Sequence, residues 1–126
     1  MLLNGLEQIG IPHQPMQVEQ LLTYLGLLEK WNSKFNLVAD SDRVSMVNRH
    51  LLDSLSILPY VTGQQIVDLG SGAGLPAIPI AIFNPQQHFI LIDSNGKKTR
   101  FLFQVKTALN LNNVTIENCR IEAYRR

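Results

Sequence analysis

The chain has few residues that could build disulfide or metal cross-links. Its 126 residues include one cysteine, Cys119, which excludes an internal disulfide and fits a reducing compartment. Three histidines, at positions 13, 50 and 88, have no cysteine or acid at ligand spacing, so we expect no metal site. No apolar run is long enough for a membrane span, and the first residues lack the basic segment of a secretory signal. We therefore expect a cytoplasmic protein. Its content of 45% apolar and 17% charged residues indicates a globular chain.

Three glycines at alternate positions follow a short apolar run. Residues 66–69 predict a buried strand, Gly70, Gly72 and Gly74 a tight turn, and the apolar residues 75–83 the start of a helix. Glycine permits positive φ and lets a ligand approach the backbone closely. The helix start adds free N–H groups and partial positive charge. Because ligands of open α/β sheets bind at the carboxyl ends of the strands, the loop predicts a nucleotide or nucleoside site.

The glycine spacing narrows the choice of ligand. A dinucleotide-binding loop has the pattern G-x-G-x-x-G, but counting from Gly70 and Gly72 the third position is Leu75. A phosphate-binding P-loop ends in Gly-Lys-Ser/Thr, whereas no lysine follows Gly74. The pattern Asp-x-Gly-x-Gly-x-Gly from Asp68 resembles instead the first motif of class I methyltransferases, which bind S-adenosylmethionine (SAM).

Two acids flank this predicted site. Residues 89–92 predict the next strand, and Asp93 ends it. A carboxylate at that place can accept hydrogen bonds from both ribose hydroxyls; the alternative is that Asp93 caps the following helix. Asp68 is predicted to lie inside the glycine loop, where it either accepts hydrogen bonds from backbone amides or contacts the ligand.

The first part of the chain, residues 1–62, has a helical pattern. Pro15 suits a helix start, and a second helix is predicted after residues 40–42, whose side chains can cap it, ending at Pro59. Each helix has an apolar stripe at steps of three and four that core packing explains. The stripes are Val18, Leu21, Leu22, Leu25, Leu28, Trp31 and Phe35, and Val44, Val47, Leu51, Leu55 and Leu58. We expect this helical segment to pack on the sheet within one structural domain.

Residues 63–126 alternate between strand and helix patterns. Strands at 66–69, 89–92 and 114–118 enclose helices at 76–83 and 97–110, and this order predicts an α/β fold with a parallel sheet. It would form the first half of a SAM-binding Rossmann-like domain. The order 3-2-1 leaves the apolar first strand at an edge, which invites pairing. We expect either self-association there or a chain truncated after its third strand from a longer protein, and we favour the second.

Four segments together carry more information than the glycine loop alone. They are Lys30-Trp31-Asn32-x-x-Phe35-Asn36-Leu37, Arg49-His50-x-Leu52-Asp53-Ser54, Asp68-Leu69-Gly70-Ser71-Gly72-Ala73-Gly74-Leu75-Pro76 and Leu91-Ile92-Asp93-Ser94-x-Gly96-Lys97-Lys98. In this order they resemble the glucose-inhibited division protein B family, also called ribosomal RNA small-subunit methyltransferase G. The resemblance covers essentially the whole chain.

The resemblance implies a SAM-dependent enzyme that methylates N7 of one guanosine in 16S rRNA. It implies that the rRNA or the small ribosomal subunit is the partner, and that family members continue beyond the last residue of this chain. Gly70 and Leu75 match cofactor-contacting positions, Asp93 matches the ribose-binding acid, and Ile121 and Glu122 match the pair flanking the adenine. The predicted cofactor-binding residues are Asp68, Gly70, Gly72, Gly74, Leu75, Asp93, Ile121 and Glu122.

The catalytic residues are harder to predict. Guanine N7 carries a free lone pair, so its methylation needs no general base. We hypothesise that Asn36 and His50 border the methyl-transfer pocket. The alternative is a local network in which Asp53 holds His50 or Arg49, which precede it by three and four residues on one helix face.

Charge is distributed unevenly along the chain. Residues 1–93 hold four Lys/Arg and eight Asp/Glu, a balance of −4, whereas residues 94–126 hold seven and two, a balance of +5. This basic part could contact RNA phosphates, with Lys97, Lys98 and Arg100 as candidates; the alternative is an ordinary solvated helix face. Two other functions stay open: a SAM methyltransferase with a different substrate, and a non-catalytic module that binds nucleoside or RNA or pairs through its sheet edge.

Overall fold

The computed structural model describes residues 2–35, 37, 46–70 and 72–120. In this described part, five elements precede the sheet: α1 (Leu2–Gln8), α2 (Pro15–Phe35), a π-helical segment (Met46–Leu52), α3 (Asp53–Ser56), which directly continues it, and a 3-10 turn (Leu58–Tyr60). Then follow β1 (Gln65–Leu69), α4 (Ala77–Phe83), β2 (His88–Asp93), α5 (Gly96–Leu109) and β3 (Val114–Asn118). The βαβαβ order confirms the predicted Rossmann-like α/β arrangement.

The three strands form a parallel sheet in the order β1-β2-β3. Strand β2 lies in the centre and is buried from Phe89 to Asp93, because it has a neighbour on each side. The prediction that the first strand is buried is wrong: Val67 is 42% exposed and Leu69 is 51% exposed. In the part of the chain that the structure describes, β1 pairs with β2 alone, so one of its edges stays uncovered.

Helix α2 begins at Pro15 as predicted and packs its apolar stripe into the core. Leu21, Leu25 and Leu28 are completely buried. Leu22 and Phe35, which the same stripe included, are 44% and 37% exposed. Successive residues of a helix are about 100° apart, so Leu22 lies beside the buried face rather than on it.

The predicted second helix is irregular. Its described part consists of the π-helical segment Met46–Leu52 and α3, which ends before Pro59 of the 3-10 turn. The predicted helix to about residue 58 is therefore corrected, because its α-helical part covers only Asp53–Ser56 of the described residues. Val47, Leu51 and Leu55 are nevertheless buried as expected. The proposed capping residues 40–42 and Val44 lie outside the described residues.

The helices and the sheet share one hydrophobic core that includes side chains from α1, α2, α4, α5, β2 and β3, and Ile66 of β1 packs against it. Helices α2 and α5 run antiparallel, because Gln20 near the start of α2 donates a hydrogen bond to the Leu109 carbonyl, whereas Phe35 at its end contacts Lys97. The division into residues 1–62 and 63–126 stays a prediction. Among the described residues, no helix combines the length and apolar character needed to cross a membrane.

Candidate functional site

The glycine loop joins the end of β1 to α4 and follows a left-handed backbone path. The φ angles of Gly70, Gly72 and Gly74 are 72°, 58° and 86°, values that L side chains rarely adopt. The Gly70 N–H donates to the Ile92 carbonyl over 2.7 Å, which extends the pairing of β1 with β2. The Gly74 carbonyl accepts from Ile78 N–H over 2.7 Å and so belongs to the first turn of α4.

Two of these glycines differ in what surrounds them. A Cβ at Gly74 would lie 2.6 Å from Ile78 Cγ1 and 3.0 Å from Leu102 Cδ2, so this glycine is required for close packing. Among the described residues, no heavy atom lies within 4 Å of a Cβ built at Gly70. The loop therefore packs tightly against the protein at its end and is open at its beginning.

Asp93 connects the glycine loop to the end of β2. Its Oδ2 accepts a hydrogen bond of 2.9 Å from the Gly72 N–H, and its Oδ1 accepts one of 2.8 Å from the Asn95 N–H. The alternative that Asp93 caps the following helix is wrong. The cap of α5 is Asn95, whose Oδ1 accepts from the N–H groups of Lys97 and Lys98.

Tyr24 holds the same loop from the side of α2, and sequence reasoning missed it. Its hydroxyl donates to the Ala73 carbonyl over 2.7 Å, and the side chain is completely buried. Burial raises the pKa of the Tyr24 phenol above its ordinary value of 10.0, so the group stays a neutral donor. Tyr24 follows Leu21 by three residues, so the helical spacing that identified Leu21 also indicates Tyr24.

The remaining predicted cofactor-binding residues lie on β1, at the end of the loop, and outside the described residues. Asp68 is part of β1, opposite Leu91, rather than inside the loop, because the strand pairing continues to Leu69. It is half-buried, and its Oδ2 is shielded from solvent. Leu75 is half-buried at the end of the loop. Ile121 and Glu122 lie outside the described residues.

Of the two catalytic candidates, only His50 can be described. It lies half-buried on the π-helical segment, with its Nε2 shielded from solvent. Asp53 begins α3 and is exposed. Asn36 and the side chain of Arg49 lie outside the described residues. Short π-helical segments occur often at functional sites; the pocket hypothesis and the local network both stay predictions.

The predicted RNA contacts lie at the start of α5. Lys97 and Arg100 are exposed and Lys98 is half-buried. The Lys97 Nζ lies 5.1 Å from the centre of the Phe35 ring, a cation–π arrangement. Lys106, on the same helix, donates from Nζ to the Leu111 carbonyl over 2.8 Å and thus ties α5 to the turn that follows it.

The arrangement has the chemistry of a nucleoside site. It combines a carboxylate at the end of one strand with an open glycine backbone at the end of its neighbour. A carboxylate oxygen can accept more than one hydrogen bond, so Asp93 can hold the loop and still accept from ligand hydroxyls. Within residues 2–35, 37, 46–70 and 72–120, no group of three His, Cys, Asp or Glu side chains could hold a metal ion.

Sequence comparisons agree with this geometry. The sequence model of a family described as rRNA small subunit methyltransferase G matches residues 17–126, most of the chain. The chain belongs to the rRNA small subunit methyltransferase G family.

Several curated relatives carry the name ribosomal RNA small subunit methyltransferase G. The chain is 52% identical to one from Cellvibrio japonicus and 54% identical to one from Ectopseudomonas mendocina, each over 98% of its length. It is 58% identical to one from Saccharophagus degradans over 86% of its length. The matches cover 58%, 59% and 49% of these relatives, so the chain spans about half of their length.

Three of the four segments that resemble this family meet in the structure. The segment at residues 30–37 contacts the one at 91–98 through Phe35 and Lys97. The glycine loop contacts the same segment through Gly72 and Asp93. The segment at residues 49–54 spans the end of the π-helical segment and the start of α3, which packs against α4 behind the glycine loop.

Proposed function

We propose that this chain is the cofactor-binding part of a SAM-dependent methyltransferase that acts on N7 of a guanosine in 16S rRNA. The observation that carries the proposal is that the Asp93 carboxylate, at the carboxyl edge of the sheet, accepts a hydrogen bond from Gly72 of the glycine loop and a second one from Asn95 in the turn before α5. The names of the relatives supply the substrate class. A ribosomal substrate would also require a cytoplasmic location.

The residues fit SAM on two counts. The space beside Gly70 is open among the described residues, and the Cβ of any other residue would project into it. A glycine is expected at such a place, because it lets a ligand approach the backbone closely. The Asp93 carboxylate suits the two ribose hydroxyls of the adenosine moiety. We assign cofactor contacts to Asp68, Gly70, Gly72, Gly74, Leu75 and Asp93, together with Ile121 and Glu122 by family resemblance.

When bound, SAM supplies an electrophilic methyl group. The task of the protein is orientation, because the N7 lone pair of guanine needs no base to free it. Correct placement of two reactants can contribute about 7–11 kcal/mol to lowering a barrier. Tyr24 and Asp93 hold the loop from two sides, which restricts the cofactor position before RNA arrives. We assign His50 and Asn36 to the border of the methyl-transfer pocket.

Calorimetric titration of SAM into the chain tests the cofactor site. Asp93→Ala should weaken SAM binding by about tenfold to a hundredfold, since hydrogen bonds to a charged group contribute about 1.5–3 kcal/mol. Glu19→Gln, which removes an exposed carboxylate near the start of α2, is the control and should bind SAM like the parent chain. A chain with a cooperative thermal transition that binds no SAM, or equal affinity of all three proteins, would contradict the proposal.

A second property is supported by one specific observation. The edge strand β1 exposes Val67 and Leu69 to 42% and 51%, and neighbouring Ile57 is 42% exposed. Unpaired strand edges of this kind are sites where another strand adds. As the alternative to a longer protein whose further strands cover this edge, we propose that two copies of this chain associate through β1.

A further inference from the structure

Helices α2 and α5 enclose a groove of about 270 Å³ at the end of α2. Its lining residues are Lys30, Trp31, Lys34, Phe35 and Gln104. Lys30 and Lys34 are four residues apart, so they lie on the same face of α2, and both are exposed. The groove therefore combines two cations with two aromatic rings.

The aromatic floor of the groove is held in place. The Trp31 Nε1 donates to Gln104 Oε1 over 2.9 Å. The Trp31 ring lies 5.5 Å from the Phe35 ring and 5.6 Å from the completely buried Phe101 ring, measured between centroids. Phe35 is 37% exposed and thus presents part of its ring to solvent. A fixed, partly exposed pair of rings is a stacking surface for a planar group.

The charged residues that line the groove within the described part of the chain are all positive. Lys97 lies 5.1 Å from the centre of the Phe35 ring and adds a third exposed cation to Lys30 and Lys34. Helix α5 contains no acidic residue, and α2 contains none after Glu29. This surface thus attracts a polyanion that also carries planar rings.

The groove adjoins the candidate cofactor site. Lys97 is in the first turn of α5, whose cap Asn95 donates its N–H to Asp93. Asp93 in turn holds Gly72. Phe35, at the end of α2, therefore contacts the segment at residues 91–98, which also holds the glycine loop through Asp93. A nucleic-acid strand in the groove would lead towards the carboxyl edge of the sheet.

We propose that the α2–α5 groove binds a single-stranded segment of RNA. A base packs on Trp31 and Phe35, and phosphates pair with Lys30, Lys34 and Lys97. This inference rests on the proposed function and deepens it by assigning a surface to the rRNA. Charge along the sequence pointed to α5 alone; the contribution of α2 follows from the contact between Phe35 and Lys97.

The test measures binding of a fluorescein-labelled single-stranded oligouridine by anisotropy between about 50 and 200 mM salt. The variants are the double substitution Lys30→Ala/Lys34→Ala and the single substitution Phe35→Leu, which keeps an apolar side chain but removes the ring. The control Met16→Glu/Thr23→Glu changes the net charge by the same amount at the other end of α2, where both residues lie near Leu109. SAM affinity is measured by calorimetry for every protein.

The double variant should lower the magnitude of the slope of log affinity against log salt by about 1.4, because single strands contribute about 0.7 per phosphate contact. Phe35→Leu should weaken binding about fivefold or more and leave that slope unchanged. The control should keep the slope of the parent chain. Equal slopes for the double variant and the control, or no oligouridine binding by the parent chain, would overturn the groove assignment. Loss of SAM binding by the parent chain would instead contradict the proposed function.

Discussion

Gly74 is constrained both by its backbone angle and by the side chains around it. A Cβ there would meet Ile78 and Leu102, and its φ of 86° already disfavours any side chain. Gly74→Ala should therefore lower the free energy of unfolding by about 2–5 kcal/mol, the combined cost of left-handed strain and overpacking. Urea unfolding followed by circular dichroism measures this loss.

Gly70→Ala is the matched comparison. Its φ of 72° is similar, but no described atom lies near the added Cβ. We expect a stability loss of only about 1–2 kcal/mol and a fall in SAM affinity of about tenfold, because the new methyl group occupies the open side of the loop. Equal destabilisation by Gly70→Ala and Gly74→Ala would contradict this division of roles.

Tyr24 combines a stability role with a dependence on pH. Tyr24→Phe leaves the Ala73 carbonyl without its 2.7 Å hydrogen bond in a buried place, which should cost about 1–3 kcal/mol. Because burial raises the pKa of Tyr24 above 10.0, the folded chain retains a proton that the unfolded chain loses. The contribution of Tyr24 is therefore complete below about pH 10 and is lost as the pH rises further.

Unfolding free energies measured on both sides of pH 10 test this linkage. The parent chain should lose stability more steeply with rising pH than Tyr24→Phe, in which the group that resists ionisation is absent. If both proteins lose stability in parallel above pH 10, the phenol of Tyr24 does not contribute in this way.

At the scale of elements, strand β1 exposes two apolar side chains, Val67 and Leu69, on its five residues. If two copies pair through this edge, the elution volume in size-exclusion chromatography should fall as the protein concentration rises. Val67→Lys should restore the monomer, because a charged side chain on an edge strand disfavours pairing. Thr115→Lys, on the far strand, is the control. A monomer at every concentration would contradict association through β1.

The sequence predicted most elements because their signals are local. The observed bounds of α2, α4, β2, α5 and β3 differ by at most one residue from those predicted where a bound was given. Alternation of apolar runs with helical stripes identified the parallel sheet, and the glycine spacing identified the loop. The place of Asp93 beside the loop followed from its position at the end of β2, since the carboxyl ends of parallel strands meet at one edge; its hydrogen bond to Gly72 was not predicted.

The wrong predictions concern helix type, strand exposure and the extent of strand pairing, which the local sequence pattern does not determine. Val47, Leu51 and Leu55 are spaced by four, which suits both an α-helix and the wider π-helical turn, so the irregularity was not visible. Exposure of β1 depends on what lies beside it rather than on its own sequence. Asp68 was assigned to the loop because the length of strand pairing cannot be read from one strand. Asn95 was missed as a cap because Asp93 offered a second candidate nearby.

At the scale of the whole molecule, side-chain contacts connect the helices to the glycine loop. Tyr24 of α2 holds Ala73, Asp93 of β2 holds Gly72, and Lys97 of α5 meets Phe35 of α2. Helix α2 thus contacts the loop, the loop contacts β2, and α5, which follows β2 in the chain, contacts α2. We infer that the α2 helix contributes both to a fixed cofactor loop and to the proposed RNA groove.

The central claim is that the glycine loop binds SAM, and its amide resonances test this directly. During a SAM titration followed by nuclear magnetic resonance, the signals of Gly70, Gly72 and Gly74 should shift and saturate together. Gly63, before the amino end of β1, and Gly10, between α1 and α2, serve as internal controls and should not move. Saturating shifts confined to the loop and its neighbours are the predicted result. Unchanged loop signals, or shifts centred on Gly10 or Gly63, would contradict the account.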